Sequence, residues 1–206
     1  MSLFPIFVKL PGRLVVVVGG GEIAAGKIEG LLRAGARVRV IAPEVHASFA
    51  EPIRCRKIEW LPRKCAAGDL DGATLVIAAT SVRGVNASVF REAEARGILC
   101  NAVDDIENCH FYYGSIVQRG DLQIAISTNG KSPALAQRLR QELEQQFGPE
   151  YEVWLEWLGA AREILRAADG GGTETNKQML HQLASKPMYE RFVKEANKEP
   201  SRQGVA

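Results

Sequence analysis

The segment GGGEIA, residues 19–24, carries the residue types that point most directly to chemistry, because it matches the pattern GxGxxA. Gly19 permits a tight turn, Gly21 lets a pyrophosphate approach the backbone, and Ala24 leaves room for a helix against a strand. The backbone amides of the first helical turn favour binding of an anion. The segment predicts a dinucleotide site, with a ligand-free turn as the alternative. The predicted cofactor-binding residues here are Gly19, Gly21, Glu22, Ile23 and Ala24.

An acidic residue usually follows the second strand of such a fold, about 20 residues after the glycines. Here that strand ends before Pro43 and Glu44, just past the usual place. Both residues are predicted to contact the cofactor, with Glu44 accepting hydrogen bonds from ribose hydroxyls, which favours NAD. Arg37 and Arg39 on the same strand keep NADP open, and a solvated loop carboxylate is the other interpretation of Glu44.

Further polar residues follow two later strands. Thr80 comes after the strand TLVIAA, and residues 101–103 close the next strand. Strand ends border the crevice in which open α/β sheets bind ligands. Thr80, Asn101 and Val103 are therefore predicted to contact the cofactor, although polar residues after strands also form ordinary turns.

Asp104 and Asp105 place two carboxylates at the end of that last strand, where a nicotinamide ring would lie. A carboxylate there can take a proton from a substrate that gives hydride to NAD. The two acids could divide this work, one reactive and one structural. Capping of a turn by both acids explains the same residues.

The loop STNGKSP, residues 127–133, opens a later helix. Its backbone amides, its hydroxyls and the lysine could hold a substrate carboxylate. The predicted substrate-binding residues are Thr128, Lys131 and Ser132, and a simple capped turn is the alternative.

Alternating strands and helices must position these residues. Leu14 to Val18 is apolar on both faces, which is typical of a strand inside a parallel sheet. Ala24, Ile28, Leu31 and Leu32 then form one helical face, which Gly35 can end. Further strands are predicted at 38–42, 58–61, 74–79 and 98–103, with a helix at 85–96. The pattern predicts an α/β fold with a Rossmann-type parallel sheet over residues 1–113.

The pattern changes after Tyr113. Two short runs joined at Arg119-Gly120-Asp121 predict a hairpin, and Ser132-Pro133 starts a helix that buries Leu135, Leu139 and Leu143 and stops at Gly148-Pro149. We assign residues 114–147 to a small α+β segment. Residues 148–206 form a helical C-terminal region, with a loop at 169–172, helical pieces at 179–183 and 189–193, and a frayed tail from Lys194.

The composition limits the classes of binding partner that are expected. With 46% apolar residues and a net charge of +2, the chain needs neither nucleic acid nor membrane, and a small-molecule substrate fits better. It shows no secretory signal and no apolar run of about 20 residues. Its four cysteines lack CxxC spacing, which predicts a cytoplasmic protein without a metal site.

Three ordered motifs carry a resemblance to a known family. VVGGGEIAAGKIEGLLRAGARVRVIAPE, NAVDD followed by CHF, and ISTNGKSPALAQRLRQELE together resemble the precorrin-2 dehydrogenase family, the dehydrogenase or dehydrogenase/ferrochelatase module of sirohaem synthases. The resemblance runs from Leu3 to Glu150. It implies oxidation of precorrin-2 to sirohydrochlorin with NAD as hydride acceptor. In bifunctional members it also implies insertion of ferrous iron to give sirohaem.

The resemblance also assigns roles to residues. It implies a homodimer built through residues 114–147, places the family's essential aspartate at Asp104, and puts the STNGKSP loop near the tetrapyrrole, with Thr128 at a position where some relatives have a phosphorylatable serine. Three residues differ from those that are frequent in the family. Ile106 stands where proline is frequent, His110 where a small polar or acidic residue is common, and Asn129 where glycine is frequent. A non-catalytic NAD-sensing module and a chelatase without dehydrogenase activity remain the alternatives.

Overall fold

A computed structural model describes residues 3–168 and 173–196 of the chain. The chain divides into two compact units, Leu3–Tyr113 and a second that begins at Gly114. Each unit has its own sheet.

The first unit is a five-stranded parallel sheet with the strand order β3-β2-β1-β4-β5, which confirms the predicted fold class. The strands are β1 (Leu14–Val18), β2 (Arg37–Ile41), β3 (Ile58–Leu61), β4 (Ala73–Ala78) and β5 (Leu99–Ala102). The helices are α1 (Glu22–Arg33), α2 (Ala50–Arg54) and α3 (Arg83–Ala95), with short 3-10 turns at Ala47–Phe49 and Ile106–Asn108. Helix α2 and both 3-10 turns add to the elements that the sequence pattern predicted.

β1 is the centre of this sheet because both of its faces are apolar. Val15 and Val17 pack with Ile28 of α1 on one face. Val16 and Val18 pack with residues of α3 on the other face. Gly35 ends α1 as predicted, in a left-handed conformation with a φ of +74°.

The strand order places a topological switch at β1 and β4. The chain runs from β1 to β2 and β3 on one side and then returns to β4 on the other side of β1. The loops that follow β1 and β4 therefore diverge from the carboxyl edge of the sheet, where folds of this kind bind their ligands.

The second unit pairs an antiparallel hairpin with helices. The hairpin is β6 (Ser115–Arg119) and β7 (Leu122–Ile126), followed by α4 (Pro133–Gln146), α5 (Glu150–Ala168), α6 (Glu174–Leu183) and α7 (Lys186–Ala196). Arg119 ties the hairpin to the end of α4, because its guanidinium donates hydrogen bonds to the carbonyl oxygens of Phe147 at 2.8 Å and Glu144 at 3.0 Å.

Several predicted boundaries and faces in this unit are corrected. Leu135 is 40% exposed, whereas Ala136 is buried. Ala136, Leu139 and Leu143 follow the i, i+3, i+7 spacing of one helical stripe, and Leu135 lies beside it. Lys194, predicted to start a frayed tail, lies within α7. The predicted loop at 169–172 and the rest of the tail fall outside the described residues. None of the helices in the described ranges is long and apolar enough to cross a membrane.

Candidate functional site

The glycine turn is pressed against the neighbouring loops on one side and open on the other. A Cβ on Gly19, whose φ is +116°, would lie 2.3 Å from the carbonyl oxygen of Ala79. A Cβ on Gly20 would lie 2.3 Å from the carbonyl oxygen of Glu44. A Cβ on Gly21 would meet nothing within 4 Å. The first two glycines are thus required by the fold, while Gly21 borders open space that a ligand can enter.

The amides that begin α1 face this space. Gly21 is the N-cap residue in an extended conformation, and no side chain caps the helix. Within the described part of the chain, the backbone amides of Glu22, Ile23 and Ala24 donate no hydrogen bond. Unpaired amides at a helix start are the donor set that binds a pyrophosphate, so the turn fits the predicted dinucleotide.

The loop after β2 lies directly against the turn. The Gly19 amide donates to the Ile41 carbonyl oxygen at 2.9 Å, and the His46 amide donates to the Gly20 carbonyl oxygen at 2.7 Å. Between these bonds, Pro43 and Glu44 are exposed. The loop therefore holds Glu44 beside the glycines, as a ribose contact would require.

The two arginines that left NADP possible as the cofactor do not lie where its ribose phosphate would bind. Arg37 is the first residue of β2 and so lies at the amino edge of the sheet, opposite to the glycine turn. The Arg39 side chain makes an ion pair with Glu59 at 2.8 Å. Neither arrangement provides a cation for a ribose phosphate at the carboxyl edge, which favours NAD.

Thr80 after β4 is held by a buried residue of α3. Its hydroxyl donates to the Oδ1 atom of Asn86 at 2.7 Å, and the Asn86 amide nitrogen donates back to the Thr80 carbonyl oxygen at 3.0 Å. Asn86 is only 3% exposed. The Thr80 hydroxyl therefore stabilises the loop, and its predicted contact with the cofactor stays a prediction. A polar residue at the start of a helix is common, so nothing in the sequence singled out Asn86.

The loop after β5 folds back on its own strand. The side-chain amide nitrogen of the buried Asn101 donates to the Phe111 carbonyl oxygen at 2.8 Å. The His110 amide donates to the Cys100 carbonyl oxygen at 2.8 Å, and the Cys100 amide donates to Nδ1 of His110 at 3.0 Å. The His110 ring also stacks on Phe90, with 4.6 Å between ring centroids. His110 therefore has a structural role at this edge of the sheet.

The two adjacent aspartates differ within this loop. The Asp105 carboxylate accepts a hydrogen bond from the Asn108 side chain at 2.7 Å. Asp104 is exposed, and its carboxylate accepts no hydrogen bond from the residues that the structure describes. Its φ of +59° is in the left-handed region, which aspartate tolerates better than most residues. Val103, just before it, donates its amide to the Ala78 carbonyl oxygen at 2.9 Å and so fixes where the loop leaves the sheet.

Lys27, which was not predicted, interacts electrostatically with Asp104 and contacts the ring of Tyr113. The Lys27 Nζ atom is 3.9 Å from the centre of the Tyr113 ring. Partial burial lowers the pKa of Lys27, and the negative charge of Asp104 opposes that shift. Desolvation raises the pKa of Tyr113 to about 12. The signal in the sequence was the position of Lys27, three residues after Ala24 and four before Leu31, on the apolar face of α1.

In the second unit, the STNGKSP loop is a tightly bonded helix start. The Thr128 hydroxyl accepts from the Ser132 amide at 3.2 Å and donates to the Ser132 carbonyl oxygen at 3.1 Å. The Ser132 hydroxyl accepts from the Leu135 amide at 3.2 Å and so caps α4. Lys131 is exposed. Asn129 has a φ of +53°, a conformation that glycine adopts most readily.

The parallel sheet, its switch point and the open glycine turn define a Rossmann-type dinucleotide-binding protein. Comparison with known proteins supports a dinucleotide-binding protein. Residues 6–115 match a family model described as putative NAD(P)-binding, and residues 119–146 match one described as sirohaem biosynthesis protein central. The prediction of a nicotinamide dinucleotide as cofactor is thereby confirmed.

Among curated proteins, the chain is 42% identical over 171 residues to siroheme synthase 1 of Serratia proteamaculans, covering 81% of the chain and 36% of that protein. It is 47% identical over 144 residues to the siroheme synthase of Photorhabdus laumondii, covering 70% of the chain and 31% of that protein. The chain thus spans about a third of the length of these relatives.

Among solved structures, one described as SirC, precorrin-2 dehydrogenase, matches with a TM-score of 0.75 and 26% identity, covering 96% of the chain and all of that structure. The chain therefore belongs to the family whose model is described as putative NAD(P)-binding. These relatives are sirohaem synthases and a precorrin-2 dehydrogenase, the proteins that its motifs resemble.

Proposed function

We propose that the protein oxidises precorrin-2 to sirohydrochlorin with NAD as the electron acceptor. The observation that carries this proposal is the exposed Asp104 carboxylate at the carboxyl edge of a Rossmann-type sheet, which accepts no hydrogen bond from the residues that the structure describes. The full-length likeness to a precorrin-2 dehydrogenase supports the choice of substrate. An NAD-sensing module would use the glycine turn but would need no free carboxylate at this position.

The carboxyl edge of the first unit offers the contacts that NAD needs. We assign the pyrophosphate to the amides of Glu22, Ile23 and Ala24, which Gly19 and Gly21 make accessible. The adenosine ribose is assigned to Glu44, next to Pro43. We place the nicotinamide end near the backbone of Thr80, Asn101 and Val103.

The reaction removes a hydride and a proton from the reduced macrocycle. When bound, NAD supplies the hydride acceptor. The Asp104 carboxylate takes the proton, because it is exposed and free of competing hydrogen bonds among the described residues. Asp105 maintains the loop through Asn108 and is not assigned a chemical step.

We further propose that the STNGKSP loop binds the substrate. Precorrin-2 is a polycarboxylate, and Lys131 offers an exposed cation beside the start of α4. Thr128 and Ser132 support this function by holding the loop in shape. Homodimer formation through residues 114–147 and a cytoplasmic location are proposed with it. The siroheme synthase relatives favour ferrous iron as a later substrate, inserted into sirohydrochlorin.

The proposal is tested by anaerobic incubation of the purified protein with precorrin-2 and NAD, before any metal is added. We expect sirohydrochlorin and NADH to appear together in equal amounts. In the Asp104→Asn variant the rate should fall by about 100-fold or more, with NAD affinity unchanged. Asparagine is chosen because it also tolerates the left-handed backbone. Asp105→Asn is the matched control and should retain most of the rate.

The alternatives give different results in the same assay. NAD binding without any change in precorrin-2 would favour a sensing module. Conversion of added sirohydrochlorin and ferrous iron to sirohaem, without prior NADH formation from precorrin-2, would favour a chelatase alone. Equal rates for wild type and Asp104→Asn would contradict the assignment of Asp104.

A further inference from the structure

Lys27 differs from the other lysines that the structure describes. It is partly buried, whereas the other described lysines are exposed. An ammonium group carries three hydrogen-bond donors and loses hydration when it is buried. Within the described ranges, Lys27 donates no hydrogen bond and makes no ion pair at 4.0 Å or less. Its donors are therefore available to a ligand.

The surroundings of Lys27 hold its charge in place. The face of the Tyr113 ring lies 3.9 Å from Nζ, a distance at which an aromatic ring attracts a cation. The tyrosine is the last residue of the first unit and follows the loop that carries Asp104. Burial lowers the pKa of the lysine, while the Asp104 carboxylate favours its charged form. A cation that is held in place and has unused hydrogen-bond donors is suited to binding an anion.

We infer that Lys27 binds a carboxylate group of the tetrapyrrole substrate beside Asp104. This inference rests on the proposed function, because that function brings a polycarboxylate to Asp104. A substrate carboxylate next to the Asp104 charge would be repelled, and the Lys27 ammonium offsets that repulsion. The pyrophosphate has its own donors at Glu22 to Ala24, one helical turn nearer the start of α1, so the substrate is the better source of the anion.

Binding measurements with sirohydrochlorin, the product of the proposed reaction, test this inference without any need for turnover. Lys27→Met keeps the length and helix propensity of the side chain but removes its charge. We expect it to raise the Kd for sirohydrochlorin about tenfold, as expected for loss of one charge-assisted hydrogen bond. Lys27→Arg should stay within about threefold of wild type because it keeps the charge. The Kd for NAD should be unchanged in both variants.

Lys57→Met is the matched control, because Lys57 is exposed and lies next to the first residue of β3 at the amino edge of the sheet. It should leave both affinities unchanged. A rise in the Kd for NAD alone would assign the anion to the cofactor phosphate and overturn the inference, as would unchanged affinity for sirohydrochlorin. Dependence of sirohydrochlorin binding on Lys27 in a protein that does not oxidise precorrin-2 would refute the proposed function and leave the inference standing.

A second measurement uses the wild-type protein, in case Lys27→Met does not fold. Acetic anhydride modifies accessible amines, and mass spectrometry locates the modified lysines. Sirohydrochlorin should protect Lys27 but not Lys57, and NAD alone should protect neither. Equal modification of Lys27 with and without sirohydrochlorin would overturn the inference.

Discussion

The side-chain amide nitrogen of Asn101 donates a hydrogen bond to the carbonyl oxygen of Phe111 at 2.8 Å. This bond joins β5 to the far end of the loop that carries Asp104. Asn101 is 7% exposed, so a replacement that cannot donate leaves a carbonyl oxygen without its partner in a largely dry environment. The position of Asp104 relative to the sheet depends on this bond.

Asn101→Leu should therefore affect stability and turnover together. Leucine keeps the γ-branched shape of the side chain but removes the donor, and the expected loss in the free energy of unfolding is about 1–3 kcal/mol. Urea unfolding measures that loss, and the precorrin-2 assay should show a lower rate at saturating NAD. Asn108→Ala, which removes the bond to Asp105, is the control within the same loop and should cost less. If Asn101→Leu weakens NAD binding without loss of stability, Asn101 contacts the cofactor directly, as the sequence predicted.

The glycines of the turn should separate folding from cofactor binding. Gly19→Ala should unfold or strongly destabilise the protein, because its Cβ would lie 2.3 Å from the Ala79 carbonyl oxygen and its φ is positive. Gly21→Ala should leave the melting temperature nearly unchanged, since the added Cβ would meet no other part of the described chain within 4 Å, its sequence neighbours aside. It should still raise the Kd for NAD about tenfold or more, because the pyrophosphate approaches that backbone. Normal NAD affinity in a folded Gly21→Ala protein would place the pyrophosphate elsewhere.

Much of the first unit was predictable because its signals are local. A run of valines, three glycines and an apolar helical face specify a strand, a turn and a helix without knowledge of distant residues. The same reasoning placed Gly21 and Glu44 at one edge, because parallel strands end on the same side of a sheet.

The contacts between side chains were not predictable, because they depend on how distant segments meet. Asn86 and Lys27 lie on helices where polar residues are common, and their roles appear only when the loops after β4 and β5 fold beside them. In the second unit, Leu135 was placed on the buried face of α4 because leucines recur every four residues. A two-stranded hairpin covers only a narrow stripe of the helix, and Ala136 occupies it.

The acid stability of the first unit should depend on Asp69. The two terminal guanidinium nitrogens of Arg63 donate to this carboxylate, at 2.6 Å and 2.7 Å, and the Ala66 amide donates to it at 2.7 Å. The Arg63 hydrogen bonds are the main cause that lowers the pKa of Asp69 from 3.8 to about 2. The folded pKa lies below the unfolded one, so the contribution is complete above the unfolded value and is lost as the pH falls from about 4 through about 2.

Asp69→Asn should therefore lower the free energy of unfolding at neutral pH by about 2 kcal/mol. The difference from wild type should shrink as the pH falls below about 4, because the wild-type carboxylate then becomes protonated. Urea unfolding at a series of pH values measures both effects. Glu51→Gln breaks an exposed pair with Arg54 and is the control expected to change little. A constant difference at all pH values would mean that the amide disrupts packing and that the charge is unimportant.

The STNGKSP loop permits a test that separates a structural hydroxyl from a binding charge. Ser132→Ala removes the acceptor for the Leu135 amide, and loss of such a cap costs about 1 kcal/mol. Lys131→Met changes an exposed residue and should leave stability unchanged. If the loop binds a substrate carboxylate, Lys131→Met should nevertheless raise the KM for precorrin-2 several-fold, with the KM for NAD unchanged. Thermal unfolding and steady-state kinetics on both variants check this. A normal KM for precorrin-2 in the Lys131→Met protein would contradict substrate binding by the loop. The loop would then be only a capped helix start, because its hydroxyls already bond within the chain.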